Sequence, residues 1–253
     1  VLLSERLEQL GSVLVAFSGG VDSGVLLTAA VRTLGPERVA AATTVSAALP
    51  AAELDGAAAF CRDLGVRHLT PAGIEGSVPG YVANGPDRCA WCKSSLVQVL
   101  LPVAASLELA WVATGTHRDD LADGFRPGVA ASRLAGAVFP LADAGLGKQE
   151  VRALAHGWGL SLAAKPAAAC LASRVVHGVS VTPARLARIE RSEARVRHVL
   201  AEAGITSVAL RVRDLGEGAA RIEVDPEAVG RVPVIDLEGF SSVDVQPYRP
   251  GGR

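Results

Sequence analysis

Methionine is absent from this 253-residue chain, and aromatic side chains make up only 4% of it. The missing methionine accompanies an abundance of alanine, a compositional bias without functional weight. An excess of charge of one sign is lacking too. The 25 basic residues face 26 acidic ones, so no global field draws in a polyanion such as tRNA. No run approaches the roughly 18 apolar residues needed to cross a bilayer. Residues 1–11, VLLSERLEQLG, read as a charged amphipathic helix, and the expected location is the cytoplasm, with no membrane partner. Four cysteines in that compartment are expected as thiols or metal ligands in preference to disulfides. Lysine is scarce, and the arginines that dominate the basic residues suit bidentate recognition of phosphate or carboxylate.

Against this background the most informative run is VLVAFSGGVDS, residues 13–23. A β-branched strand empties into a Ser-Gly-Gly turn with a helix-like segment behind it. Gly19 and Gly20 permit tight or left-handed backbone, so the amides of Ser18, Gly19, Gly20, Val21, Asp22 and Ser23 can converge on an anion at a helix N-terminus. Ser18 and Ser23 add hydroxyl donors, and Asp22 suits a divalent ion held against phosphate oxygens. The Walker lysine loop is ruled out by spacing and by the missing lysine. SGGVDS resembles the PP-loop of ATP pyrophosphatases, which split ATP into AMP and pyrophosphate.

Strand-like segments at 13–17, 38–45, 67–71 and 109–115 alternate with helical ones at 24–34, 52–64, 92–106 and 148–158. This predicts an α/β fold, a doubly wound, mostly parallel sheet over residues 1–165. SGGVDS, TTVSAALP and GTHRDD each follow a strand and should face one crevice. From residue 166 the character changes. A helix over 182–204 and two strands at 208–216 and 220–226 predict a smaller α/β domain over 166–253, with a mobile end to the tail.

Cys89 and Cys92 form a C-x-x-C placed before an apolar helical run, and Cys170 lies near the expected domain junction. Cys61 reads as a small core residue. For the other three, the spacing leaves four readings open: a zinc site completed by a residue such as His177, an iron–sulfur cluster with one open iron, a redox dithiol beside an independent Cys170, or three unrelated buried thiols.

Taken together, SGGVDS (18–23), PDRCAWCKSSL (86–96), GTHRDDLADGFRPG (115–128), PLADAGLGKQEVR (140–152), KPAAACLASR (165–174) and RVRDLGEGAARIEVDP (211–226) resemble the LarE-type ATP-dependent sulfur transferases, which help build the nickel-pincer nucleotide cofactor. The resemblance implies that ATP adenylylates a carboxylate of pyridinium-3,5-biscarboxylic acid mononucleotide and that sulfur then displaces AMP. Two sulfur sources occur in that family. Either a cysteine matching Cys170 gives up its own sulfur, or cysteines matching Cys89, Cys92 and Cys170 hold a 4Fe-4S cluster; the presence of all three favours the second. The resemblance further implies that Asp22 and the Asp119–Asp120 pair serve Mg²⁺ and pyrophosphate, and that backbone groups around Thr43 to Ser46 and Gly115 hold adenine and ribose. It assigns a phosphate clamp to Arg211 and Arg213, a phosphate or AMP contact to Arg174, and stacking to Trp91. Glu190, Glu193 and Asp225 match acidic positions near the substrate, and His117 stands where the family commonly has Asn. A homo-oligomer, a hexamer, and a sulfide or cysteine-desulfurase donor are also implied.

A tRNA-thiolating enzyme is the strongest rival, but no basic arm accompanies the motifs. An ammonia-using synthetase of NAD or GMP would leave the thiols unexplained. A nucleotide-sensing scaffold would leave Asp22, Ser23 and the Asp pair without a task.

Overall fold

The computed structural model describes residues 2–122, 127–165 and 169–249. In chain order its elements are α1 (Leu3–Leu10), β1 (Val13–Ala16), α2 (Val21–Leu34), β2 (Val39–Ala42), α3 (Ala51–Asp63), β3 (Arg67–Leu69), α4 (Pro79–Val82), α5 (Arg88–Ser106), β4 (Trp111–Thr114), α6 (Arg118–Ala122), α7 (Pro127–Leu134), α8 (Pro140–Asp143), α9 (Lys148–Gly157), α10 (Pro183–Glu202), β5 (Leu210–Gly216), β6 (Ala219–Val224) and β7 (Ser242–Pro247). They form two compact units. The first takes Val1–Val78 and Cys89–Ala168, the second Pro79–Arg88 and Ala169–Arg253. The boundary expected at residue 166 falls outside the described residues, and the assignment of Pro79–Arg88 to the second unit was not foreseen.

In the first unit four parallel strands lie in the order β3-β2-β1-β4. Alternation along each strand sends side chains to opposite faces. Val13 and Val15 pack with α1, α2, α3 and α9, whereas Leu14, Ala40 and Val112 pack with Leu100 and Ala104 of α5. Both faces are covered, so the strands read as continuous apolar runs. β2 is mostly alanine, a poor strand former by propensity, and complete burial overrides that weakness. Helix α5 has the length and mean hydropathy, 1.2, of a membrane span, which the reading of apolar runs missed. Its Leu100 and Ala104 nonetheless belong to this core.

The second unit packs Val196 and Leu200 of α10 against Val212, Ile222 and Val224 of a sheet ordered β5-β6-β7. Thr182 caps α10 by accepting from the Arg185 amide, and Pro183 follows at the first helical position. Sequence reasoning found β5 and β6 but no strand in the tail, whose end, expected to be mobile, lies outside the described residues. Residues 242–247 form β7, parallel to β6. Buried Asn84, in left-handed backbone at φ 57°, stitches the Pro79–Arg88 segment to this unit. Its amide donates to the carbonyls of Val176 and Val179, and its Oδ1 accepts from Arg88.

Candidate active site

Because β1, β2 and β4 are parallel, the loops that follow them leave one edge of the first unit's sheet, where ligands of such folds gather. β1 ends at Ala16, and Phe17 is locked into the core. Gly19 takes φ 69°, which an L side chain adopts only under strain, and Gly20 precedes the first turn of α2. The helix therefore starts at Val21, a turn earlier than periodicity predicted, directly on the loop. Ser23 closes it. Its hydroxyl donates to the Gly20 carbonyl, lies 3.1 Å from Ser18 Oγ and accepts from the Ser18 amide. The Val21 side chain is core, so only its backbone faces the loop. Gly115, after β4, is fixed by close approach: a Cβ there would come within 2.7 Å of the Ser23 nitrogen.

Sequence reasoning missed two lysines in this loop's surroundings. The chain has three in all, and two of them bracket the PP-loop. Lys148 Nζ donates to both carboxylate oxygens of Asp22 at 2.7 Å. Lys165 Nζ donates to the Gly19 carbonyl at 2.9 Å and to Glu53 at 2.8 Å. Only scarcity of lysine could have flagged them, since 126 and 146 residues separate these partners in sequence. The Lys148 ammonium acts as a stand-in ion. It shows that the Asp22 carboxylate faces a position a cation can take, so Mg²⁺ suits it in charge and donor type.

Asp119 accepts from the Lys148 amide at 2.7 Å, at the N-terminal turn of α9. That hydrogen bond is the main reason its carboxyl lies below the ordinary range, with Arg118 and His117 assisting. Asp120 turns back to the His117 amide, with His117 Nδ1 3.4 Å away. Asp119 thus holds the backbone that presents Lys148, while Asp120 closes the turn that opens α6. On the β2 side, the buried Thr43 hydroxyl donates to the Phe17 carbonyl and so accepts from His68 Nε2. Burial holds the His68 pKa down, consistent with a neutral ring. Ser46 Oγ accepts from the Ala48 amide. Both hydroxyls are engaged locally.

Cys89 and Cys92 lie about one turn apart within α5, which begins at Arg88, four residues before the expected start at 92. Cys89 is exposed and Cys92 half-buried, and Trp91 between them is 44% exposed, which argues against a core role. Cys61 is a sealed core thiol with its pKa pushed up to about 12 by burial.

In the second unit Cys170 is exposed and starts the 3-10 turn Leu171–Arg174. Arg174 was expected to meet phosphate or AMP. It is instead buried and braces this turn, donating to the carbonyls of Ala169 and Cys170 and to Glu193 Oε1. Glu193 also accepts from the Val212 amide and Arg197. Asp225 accepts from the Val208 and Ala209 amides and from Ser207, a loop-closing role. His177 is exposed. Arg211 and Arg213 project from one face of β5, Arg213 at 3.7 Å from Glu223. Among the described residues no three His, Cys, Asp or Glu side chains gather as a metal-binding group.

No family model matches the chain. It is similar to an uncharacterized protein of Synechocystis, 37% identical over 221 residues, covering 87% of this chain and 79% of that one. It is also similar to the pyridinium-3,5-bisthiocarboxylic acid mononucleotide synthase of Lactiplantibacillus plantarum, 31% identical over 234 residues, covering 90% of this chain and 80% of that enzyme.

Proposed function

The chain belongs to the family of pyridinium-3,5-bisthiocarboxylic acid mononucleotide synthase, and from that premise we propose that it is an ATP-dependent sulfur transferase acting on the biscarboxylic acid mononucleotide. A substrate carboxylate oxygen attacks the α-phosphorus of ATP and pyrophosphate leaves. A sulfur nucleophile then attacks the acyl carbon of the adenylate, AMP departs, and a thiocarboxylate remains. Activation comes first because a carboxylate is a poor electrophile.

The observation that carries this reading is the Ser18–Ser23 loop at the carboxyl edge of a parallel sheet, with Lys148 on Asp22 and Lys165 on Gly19. Its amides and the α2 N-terminus receive the pyrophosphate end of ATP. Asp22 holds Mg²⁺, which neutralises charge on the departing oxygens. Lys148 then passes from Asp22 to the phosphates, while Asp119 and Asp120 keep α9 and α6 in place. Adenine and ribose lie against the backbone at Thr43–Ser46 and Gly115, Trp91 stacks on a ring, and Arg211 with Arg213 receives the substrate's phosphate.

For sulfur we propose Cys89, Cys92 and Cys170 as thiolate ligands of a 4Fe-4S cluster, which would supply an open iron able to carry the transferred sulfide. These thiols are exposed or half-buried where Cys61 is sealed, so the donor set suits iron in kind and access. Arg174 fixes the Cys170 turn. The test is anaerobic reconstitution with iron and sulfide, followed by turnover with ATP and the mononucleotide. Stoichiometric AMP and pyrophosphate, blue-region absorbance lost in Cys89→Ser and unchanged protein mass support the proposal. Loss of sulfur from Cys170 would replace the cluster by sacrificial transfer, and no AMP formation would overturn the whole reading.

A further inference from the structure

The face of the second unit's sheet turned away from α10 carries Arg211, Arg213, Arg221, Glu223 and Asp244, by the two-residue alternation of its strands. Two of its three arginines are matched by carboxylates. Arg213 lies 3.7 Å from Glu223, and Arg221 donates to Asp244 at 3.1 Å. Arg211 is in register with Glu223, yet it takes a different partner. Its guanidinium carbon sits 4.7 Å from the centre of the Tyr248 ring, reached across β6. Among the described residues of this unit no acceptor takes a hydrogen bond from the Arg211 guanidinium.

That difference matters chemically. A carboxylate partner neutralises a guanidinium and occupies its in-plane donors. An aromatic face holds the cation by its quadrupole, leaving charge and in-plane N–H groups available to an anion. Tyr248 is placed independently of this contact, because its amide donates to the Val224 carbonyl at 2.7 Å just beyond β7. The backbone that carries the ring is therefore held by strand pairing and not by Arg211.

We propose that Tyr248 is a positioning residue for substrate binding, its ring holding Arg211 ready for the phosphate of the mononucleotide. The inference rests on the reading above that Arg211 is a phosphate ligand, and its test separates the two. Affinities of Tyr248→Leu, Tyr248→Phe and Arg211→Ala full-length proteins are measured by calorimetry for pyridinium-3,5-biscarboxylic acid mononucleotide and for the same nucleoside without phosphate, alongside KM for ATP. Tyr248→Leu is expected to weaken mononucleotide binding by roughly three- to tenfold, the range of an exposed to partly desolvated cation–π contact. Nucleoside affinity and KM for ATP stay unchanged, and Tyr248→Phe restores the wild-type value. On an Arg211→Ala background, removing the ring has no further effect. If Arg211→Ala weakens mononucleotide binding and Tyr248→Leu does not, the positioning role is overturned while the phosphate reading stands. Equal loss for mononucleotide and nucleoside in Tyr248→Leu would also overturn it, by showing a purely structural effect. An Arg211→Ala protein that binds the mononucleotide normally would remove the phosphate reading itself.

Discussion

Lys148 holds Asp22 as a cation would, so its replacement acts on ATP and not on the mononucleotide. Lys148→Ala is expected to lower kcat/KM for ATP by roughly a hundredfold, the scale of losing one charge-stabilising donor, with mononucleotide affinity unchanged by calorimetry. Arg174 predicts a different signature. Removing it leaves Glu193 buried and short of a partner, so Arg174→Ala should destabilise the protein by about 3–5 kcal/mol in denaturant melts. Arg174→Lys, which keeps the charge, should keep pyrophosphate release from the adenylylation step while slowing AMP release and thiocarboxylate formation together. Cys61, with its pKa pushed up to about 12, is expected to resist alkylation at pH 8 until the chain unfolds, whereas Cys170 is modified in the native protein, as peptide mass mapping would report. The Ser18–Ser23 turn between β1 and α2 and the core place of Cys61 were legible in the sequence, because a Gly-Gly break and an apolar helical pattern are local signals. Lys148, Lys165 and the bracing role of Arg174 were not, since each depends on a partner whose position only folding fixes.

Elements transmit these placements. The loop after β4 touches the first turn of α2 so closely at Gly115 that Gly115→Ala must displace backbone, and a loss of ATP binding with about 1–3 kcal/mol of stability is expected. Asn84 joins the Pro79–Arg88 segment to the second unit, and Asn84→Ala removes the side-chain donor from the part-buried Val179 and Val176 carbonyls and the acceptor of the buried Arg88 guanidinium. A loss of at least about 2 kcal/mol in thermal or denaturant unfolding follows. β5 carries the fully buried Asp214. Burial alone pushes its carboxyl up, but the Gly216 amide, Arg188 and Arg185 together bring it below its ordinary 3.8. A depressed folded-state pKa gives stability that is complete above pH 4 and is lost as pH falls through the folded value. Acid titration of Asp214→Asn should show a shallower loss below pH 4 than the parent protein. Helices and buried strands could be read from periodicity to within a few residues. β7 could not, because a short parallel edge strand ending in proline looks like a loop until β6 lies beside it.

At the scale of the whole molecule, the sequence by itself determined the class. Apolar strands alternating with helices of matching length can bury both faces only as a parallel α/β sheet, and a Gly-Gly turn between strand and helix makes an anion site wherever it occurs. The ordered run of motifs pointed to the family to which the chain belongs. The tertiary structure alone decided which charges meet. It set Lys148 on Asp22 across 126 residues, gave Arg174 the carbonyls of the Cys170 turn to brace, and left Arg211 against an aromatic ring where its neighbours found carboxylates. Periodicity reports which way a side chain points, but a pair between distant segments leaves no period, and its geometry exists only once the chain has closed the loop between them.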